Sequence, residues 1–160
     1  MSGIELLHEG GAWDMDALGA VAARAVPAAI AAVAPGLAPE IAILACDDDR
    51  IAALNRDFRG KAHATNVLSW PAADLAPATP GGRPAPPREA ALGDIAIAHD
   101  TCAREAAEQG KAMDDHVTHL LVHATLHLMG FDHETDADAD RMEALEVRIL
   151  RDLGLSDPYV

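Results

Sequence analysis

Five of the eight histidines in this 160-residue chain fall between His116 and His133. His123 and His127 are four residues apart, so on a helix they share one face with their β-carbons about 5–6 Å apart. Two imidazoles at that separation can hold one ion. Gly130 tolerates the left-handed conformation that ends a helix, and the turn beyond it can bring His133 to the same ion. The pattern is His-x-x-x-His-x-x-Gly-x-x-His. Three neutral imidazoles suit zinc and leave the fourth tetrahedral position to water, so one Zn2+ is the expected cofactor. Nickel, copper and cobalt accept the same donors, and spacing alone does not choose among them. The plainer reading is three core or surface histidines with no metal, which the glycine between the second and third counts against. His119, one turn before His123, is read either as a group supporting a ligand or as helix packing. His116 is expected to be exposed. Asp132 can orient a ligand ring or cap the turn or the last helix, and both remain open.

The elements that must position these groups follow from apolar patterning. Asp14 can cap a helix from about Met15 into the low thirties that Pro27 should kink or split. Glu40 to Cys46 reads as a buried strand. Asp47, Asp48 and Asp49 then precede a helix through Ile51, Leu54, Asn55 and Phe58 that stops at Gly60. Asn66 to Pro71 and Gly93 to Ala98 read as strands. Residues 72–91 between them are mostly Ala, Pro, Gly and Thr and read as a flexible insertion. Asp100 or Thr101 should cap a helix ending at Gly110, and Asp114 or Asp115 should start the histidine helix. A last helix runs from about Asp136 to Leu153 with Met142, Leu145, Ile149 and Leu153 inward. The expected fold is α+β (α/β-like): one domain over residues 1–160, a single small mixed sheet and about five helices. The strand at 40–46 can pair in parallel through the following helix, and the two later strands can be antiparallel neighbours.

Composition sets the limits. Half the residues are hydrophobic, aromatics are 3% and the net charge is −14, so the core is aliphatic and the surface acidic on average. Such a surface repels nucleic acid and anionic membrane. The stretch from Arg50 to Arg88 departs from this, with Arg50, Arg56, Arg59, Lys61, Arg83 and Arg88 against Asp57 and Asp74. Two cysteines, Cys46 and Cys102, make no disulfide framework, suit a reducing compartment and are expected in the core. The start has no basic region followed by a long apolar run, and the stretch from Ala17 to Val33 is a poor membrane span because Arg24 and Pro27 interrupt it. The expectation is a soluble, cytoplasmic protein with no membrane and no DNA partner.

The histidine spacing matches that of metzincin-type zinc peptidases, His-Glu-x-x-His-x-x-Gly-x-x-His, and implies a zincin-like metal-site helix. The general base of those enzymes is Glu, and Ala124 stands at that position, which weakens a peptidase reading. Several blocks together give a more specific resemblance. Leu54-Asn55-Arg56-Asp57-Phe58-Arg59-Gly60-Lys61 is followed by Thr65-Asn66-Val67-Leu68-Ser69-Trp70-Pro71, Leu92-Gly93-Asp94-Ile95 and Glu108-Gln109-Gly110-Lys111. The histidine segment from His123 to His133, Met142-Glu143-Ala144-Leu145-Glu146, and Leu153-Gly154 through Asp157-Pro158-Tyr159 complete the series. In these blocks the chain resembles the YbeY family of metal-dependent endoribonucleases, bacterial rRNA maturation factors. The family usually has Gly at Ala124, Phe at Trp70 and Pro at Ala64.

The resemblance implies zinc on His123, His127 and His133 and a catalytic Arg59 facing it across a cleft. It implies single-stranded rRNA as substrate, 16S rRNA 3′-end processing and ribosome quality control, with the small ribosomal subunit and its assembly factors as partners. The basic residues from Arg50 to Arg88 then read as a cleft wall for RNA backbone. Asp136, Asp138, Asp140, Glu143 and Glu146 would face away from it. An alternative is a ribosome-assembly or protein-binding factor whose metal is structural.

Overall fold

The computed structural model describes residues 3–85, 87 and 91–159. The chain order is β1 (Gly3–His8), α1 (Met15–Val33), β2 (Glu40–Cys46), α2 (Asp48–Arg59), β3 (Val67–Pro71), β4 (Ala91–Ala98), α3 (His99–Glu108), α4 (Met113–Leu128) and α5 (Asp136–Asp152). The strands form one mixed sheet in the order β1-β2-β4-β3. β1 and β4 run parallel to β2, and β3 runs antiparallel to β4. The parallel pairs need crossovers, and α1 supplies one between β1 and β2.

Side chains alternate between the two faces of the sheet. Ile41, Ile43, Ile95 and Ile97 join the main core with α1, α4 and α5. Cys46, Ala96 and Ala98 on the opposite face pack with Ile51 and Leu68. α4 is wrapped on nearly every side, and Leu120, Leu121, Val122, Leu126 and Leu128 are all buried. The histidine helix is therefore the centre of the main core.

Asp14 caps α1 by accepting from the backbone N–H groups of Asp16 and Ala17. α1 runs unbroken through Pro27. Pro27 and Ala23 both lie on the exposed side, where water can serve the carbonyl that the proline leaves unpaired. By length and composition α1 could cross a membrane, with a mean hydropathy of 1.5. Here its face from Leu18 to Ile30 is buried in the protein core.

Four other expectations shift. β1, not anticipated, pairs with β2 and turns only Ile4 and Leu6 towards the core. Neither Asp100 nor Thr101 caps α3: its N-cap is Ala98, the Asp100 carboxylate sits 2.9 Å from the His99 ring, and the first-turn N–H of Thr101 donates to the Asp48 carboxylate of α2. α4 starts after Ala112, leaving Asp114 and Asp115 within its first turn, where the helix dipole favours acids. The insertion is stitched down in its described part. Ala85 N–H donates to the Leu75 carbonyl at 3.0 Å, and Gly81 N–H donates to Asp138 at 2.7 Å.

Candidate metal centre and its cavity

α4 and the turn that follows it bring His123, His127 and His133 together. One ligand nitrogen from each lies within 4.8 Å of the others. The turn depends on Gly130, whose φ is +96°. A β-carbon there would sit 2.5 Å from the Leu75 carbonyl oxygen, so the insertion and the turn close on each other only with glycine at this position.

Hydrogen bonds fix two of the rings. His123 Nδ1 faces the Glu146 carboxylate at 2.5 Å, and His127 Nδ1 faces the Phe131 carbonyl at 2.8 Å. Both partners are acceptors, so each Nδ1 carries the hydrogen and each Nε2 presents a lone pair. These two Nε2 atoms lie 2.9 Å apart. Two lone pairs at that distance repel unless a cation lies against them, and His133 stands within reach of the same point. The donor set therefore fits a soft-to-borderline divalent metal. Burial pushes the His127 ring down to about 4, with nearby His123 acting in the same direction, so the ring is neutral at pH 7.

Of the residues behind this triad, the sequence reasoning named His119 but missed Glu146 and Tyr159. Glu146, expected to face away from the RNA cleft, is fully buried behind the triad. Burial alone would raise its carboxyl, but the hydrogen bonds from His123 and Tyr159 prevail and hold it below the usual carboxylate range. The Tyr159 hydroxyl donates to Glu146 Oε2, and burial together with that bond raises the tyrosine's own pKa. His119 adjoins this pair, its Nε2 lying 3.5 Å from the Tyr159 hydroxyl and 3.8 Å from Glu146. Burial pushes His119 down to about 4, against the opposing pull of Glu146. A signal for Glu146 was present. It falls on the inward stripe of α5 with Met142 and Ile149, at helical spacing.

Asp132 does not orient a ligand ring; its carboxylate accepts from the Glu134 backbone N–H within the turn. His116 is buried rather than exposed, with Nε2 2.9 Å from Glu105. The same Glu105 oxygen accepts from the Asn66 side chain at 2.9 Å, so His116 belongs to a network that ties α3 and α4 to the start of β3. Cys46 and Cys102 are both buried.

Arg59 ends α2, where Gly60 takes the left-handed cap. Its Nη2 donates to the Ser69 carbonyl at 2.7 Å. Arg59 and the three histidines line one cavity of about 380 Å³, together with Thr65, Asn66, Ser69, His119 and Tyr159. The rest of the basic stretch scatters. Arg50 pairs with Glu9 and Arg56 with Asp57, Arg83 lines a separate cavity with Arg141 and Arg148, and Arg88 lies outside the described residues. Among the described residues the expected basic wall reduces to Arg59 at this cavity. Ala124, at the position of a peptidase's base, lines the cavity as well.

Comparison with known proteins gives consistent matches. The family model described as Endoribonuclease YbeY matches residues 11–154. A protein named Endoribonuclease YbeY from Dinoroseobacter shibae is 60% identical, over 98% of this chain and 90% of that protein. Another of that name from Rhizobium meliloti is 54% identical over 78% of this chain and 70% of its own length. The solution structure of TM1509 from Thermotoga maritima aligns over 97% of both chains with a TM-score of 0.57 at 19% identity, a likeness of fold. On the family match and these identities, the chain belongs to the Endoribonuclease YbeY family.

Proposed function

We propose that this protein is a metal-dependent endoribonuclease that cuts single-stranded RNA. Its place is rRNA maturation, at the 3′ end of 16S rRNA, and ribosome quality control. It works in the cytoplasm on the small ribosomal subunit with that subunit's assembly factors, and its metal is zinc. The observation that carries the reading is the pair of Nε2 lone pairs 2.9 Å apart, opening on the cavity that Arg59 also lines. The names of the family and of its relatives support RNA as the substrate.

His123, His127 and His133 would hold the ion. When bound, zinc supplies a water whose pKa falls to about 7 and polarises a phosphoryl oxygen. Arg59 binds the phosphodiester, since its planar fork matches phosphate oxygens. One of its donors is committed to the Ser69 carbonyl, which fixes the plane in which the others are offered. A positioned cation there stabilises the charge that grows on the phosphoryl oxygens during cleavage. Glu146 keeps the hydrogen of His123 on Nδ1 and so keeps Nε2 available.

Among the described residues no Asp or Glu lines this cavity, although Asp132 and Glu134 line the adjoining one that shares Arg59, His127 and His133. The lack of a carboxylate on the His123 side favours a second reading, an assembly or protein-binding factor with a structural metal. Cleavage of a short single-stranded RNA separates the two. Wild type should cut, while identically purified His127→Ala and Arg59→Ala should not. Equal cutting by all three exposes a contaminant. No cutting by the wild type, with assembly function retained in folded His127→Ala, establishes the second reading.

A further inference from the structure

We infer that Glu146 and Tyr159 form a latch that positions His123 for metal binding, so that metal retention is set from α5 and from the segment that follows it. The inference rests on the proposed metal site and extends it to two residues outside the ligand triad.

The geometry carries the argument. Glu146 has no exposed surface and uses both carboxylate oxygens: Oε1 on His123 Nδ1 at 2.5 Å and Oε2 on the Tyr159 hydroxyl. A buried carboxylate is costly unless it is paired and hydrogen-bonded, and here each oxygen has one strong donor. No lysine or arginine pairs with it among the described residues. Its counter-charge is therefore whatever sits at the imidazoles. A carboxylate on the Nδ1–H of a metal-binding histidine fixes the tautomer and raises the basicity of the other nitrogen.

A rival arrangement uses the same residues. His119, His123 and Glu146 also bring three donors within 4.8 Å of one another, which would make Glu146 a ligand. Hydrogen bonding argues against it. His123 Nδ1 is engaged by Glu146, and His123 Nε2 points at His127. The Tyr159 hydroxyl already occupies the second carboxylate oxygen. His123 can then offer an ion only Nε2, on the triad side, which leaves Glu146 a positioning residue.

The test measures zinc affinity by competition with a chromophoric chelator, and the visible spectrum of the cobalt-substituted protein, on the full chain. Glu146→Gln should weaken zinc binding by about 10–100-fold, the usual cost of losing such a partner. The cobalt bands should keep their tetrahedral intensity. Tyr159→Phe, which removes a single hydroxyl, should weaken binding in the same direction by less, and it carries the test alone if Glu146→Gln does not fold. Affinities within twofold of wild type in the folded variants would overturn the latch. A loss beyond about a thousandfold with altered cobalt bands would overturn it in favour of Glu146 as a ligand. Wild type that binds no zinc would overturn the metal reading itself, which separates that failure from failure of the latch.

Discussion

His123 on α4 and Glu146 on α5, 23 residues apart in the chain, meet through a 2.5 Å contact between Nδ1 and a carboxylate oxygen. The contact makes one imidazole a junction between two helices. Its Nδ1 side belongs to the core and its Nε2 side to the cavity. A chain of net charge −14 has thus taken one carboxylate wholly out of water and set it behind the histidine triad.

Arg59 should tolerate lysine poorly. Lysine keeps the charge but not the planar fork, and it cannot both hold the Ser69 carbonyl and pair with two phosphate oxygens. Loss of one preorganised donor at a developing charge costs about 10²–10³ in turnover. Arg59→Lys is expected to lose activity on that scale, with the thermal midpoint changed little. Single-turnover cleavage of a labelled RNA, beside a melting curve, measures both quantities.

Gly130→Ala tests the turn that returns His133. The left-handed conformation costs a residue with a β-carbon about 1–2 kcal/mol, and the added carbon would meet the Leu75 carbonyl at 2.5 Å. Each kcal/mol lowers the midpoint of a domain of this size by about 2–4 °C. A fall of several degrees, with weaker zinc binding because His133 is displaced, is the expected result. Calorimetry and chelator competition read the two effects, and an unchanged midpoint would refute the account of the turn.

The thiols give a prediction in pH. Burial, reinforced by Asp47, pushes Cys46 up to about 11, and burial likewise raises Cys102. At pH 8 the folded Cys46 thiolate is then about one part in a thousand, against about one in ten at the ordinary value of 9.0. Alkylation by iodoacetamide at pH 8 should be slow in the native protein and fast once it is unfolded. The unfolded thiols release their protons first, so stability falls as pH rises from about 9 towards 11. Rapid native labelling of either cysteine would contradict their placement.

The meeting of His123, His127 and His133 was legible because its information is local: a four-residue helical spacing and a glycine. The mixed sheet was legible from its apolar runs. β1 was not, since its alternation involves only Ile4 and Leu6. Glu146 was hidden among the acids of α5, where a charge normally signals solvent, and only its phase with Met142 and Ile149 marked it as inward. His116 failed for the mirror-image reason: its partner, Glu105, lies on another helix. The basic stretch misled because charge counted along the chain says nothing about which residues pair with nearby acids, as Arg50 and Arg56 do.

The bond from Arg59 to Ser69 has a consequence for solubility. Among the described residues β3 is the last strand of the sheet and pairs on one side only. The Asn66 carbonyl turns inward to β4, so by alternation the Ser69 carbonyl faces outward, where a strand from another molecule could add. Arg59 occupies that acceptor, and a charge on an open sheet margin is a common guard against aggregation. Arg59 therefore also covers an acceptor on the outer margin of β3, and Arg59→Ala would leave that acceptor open.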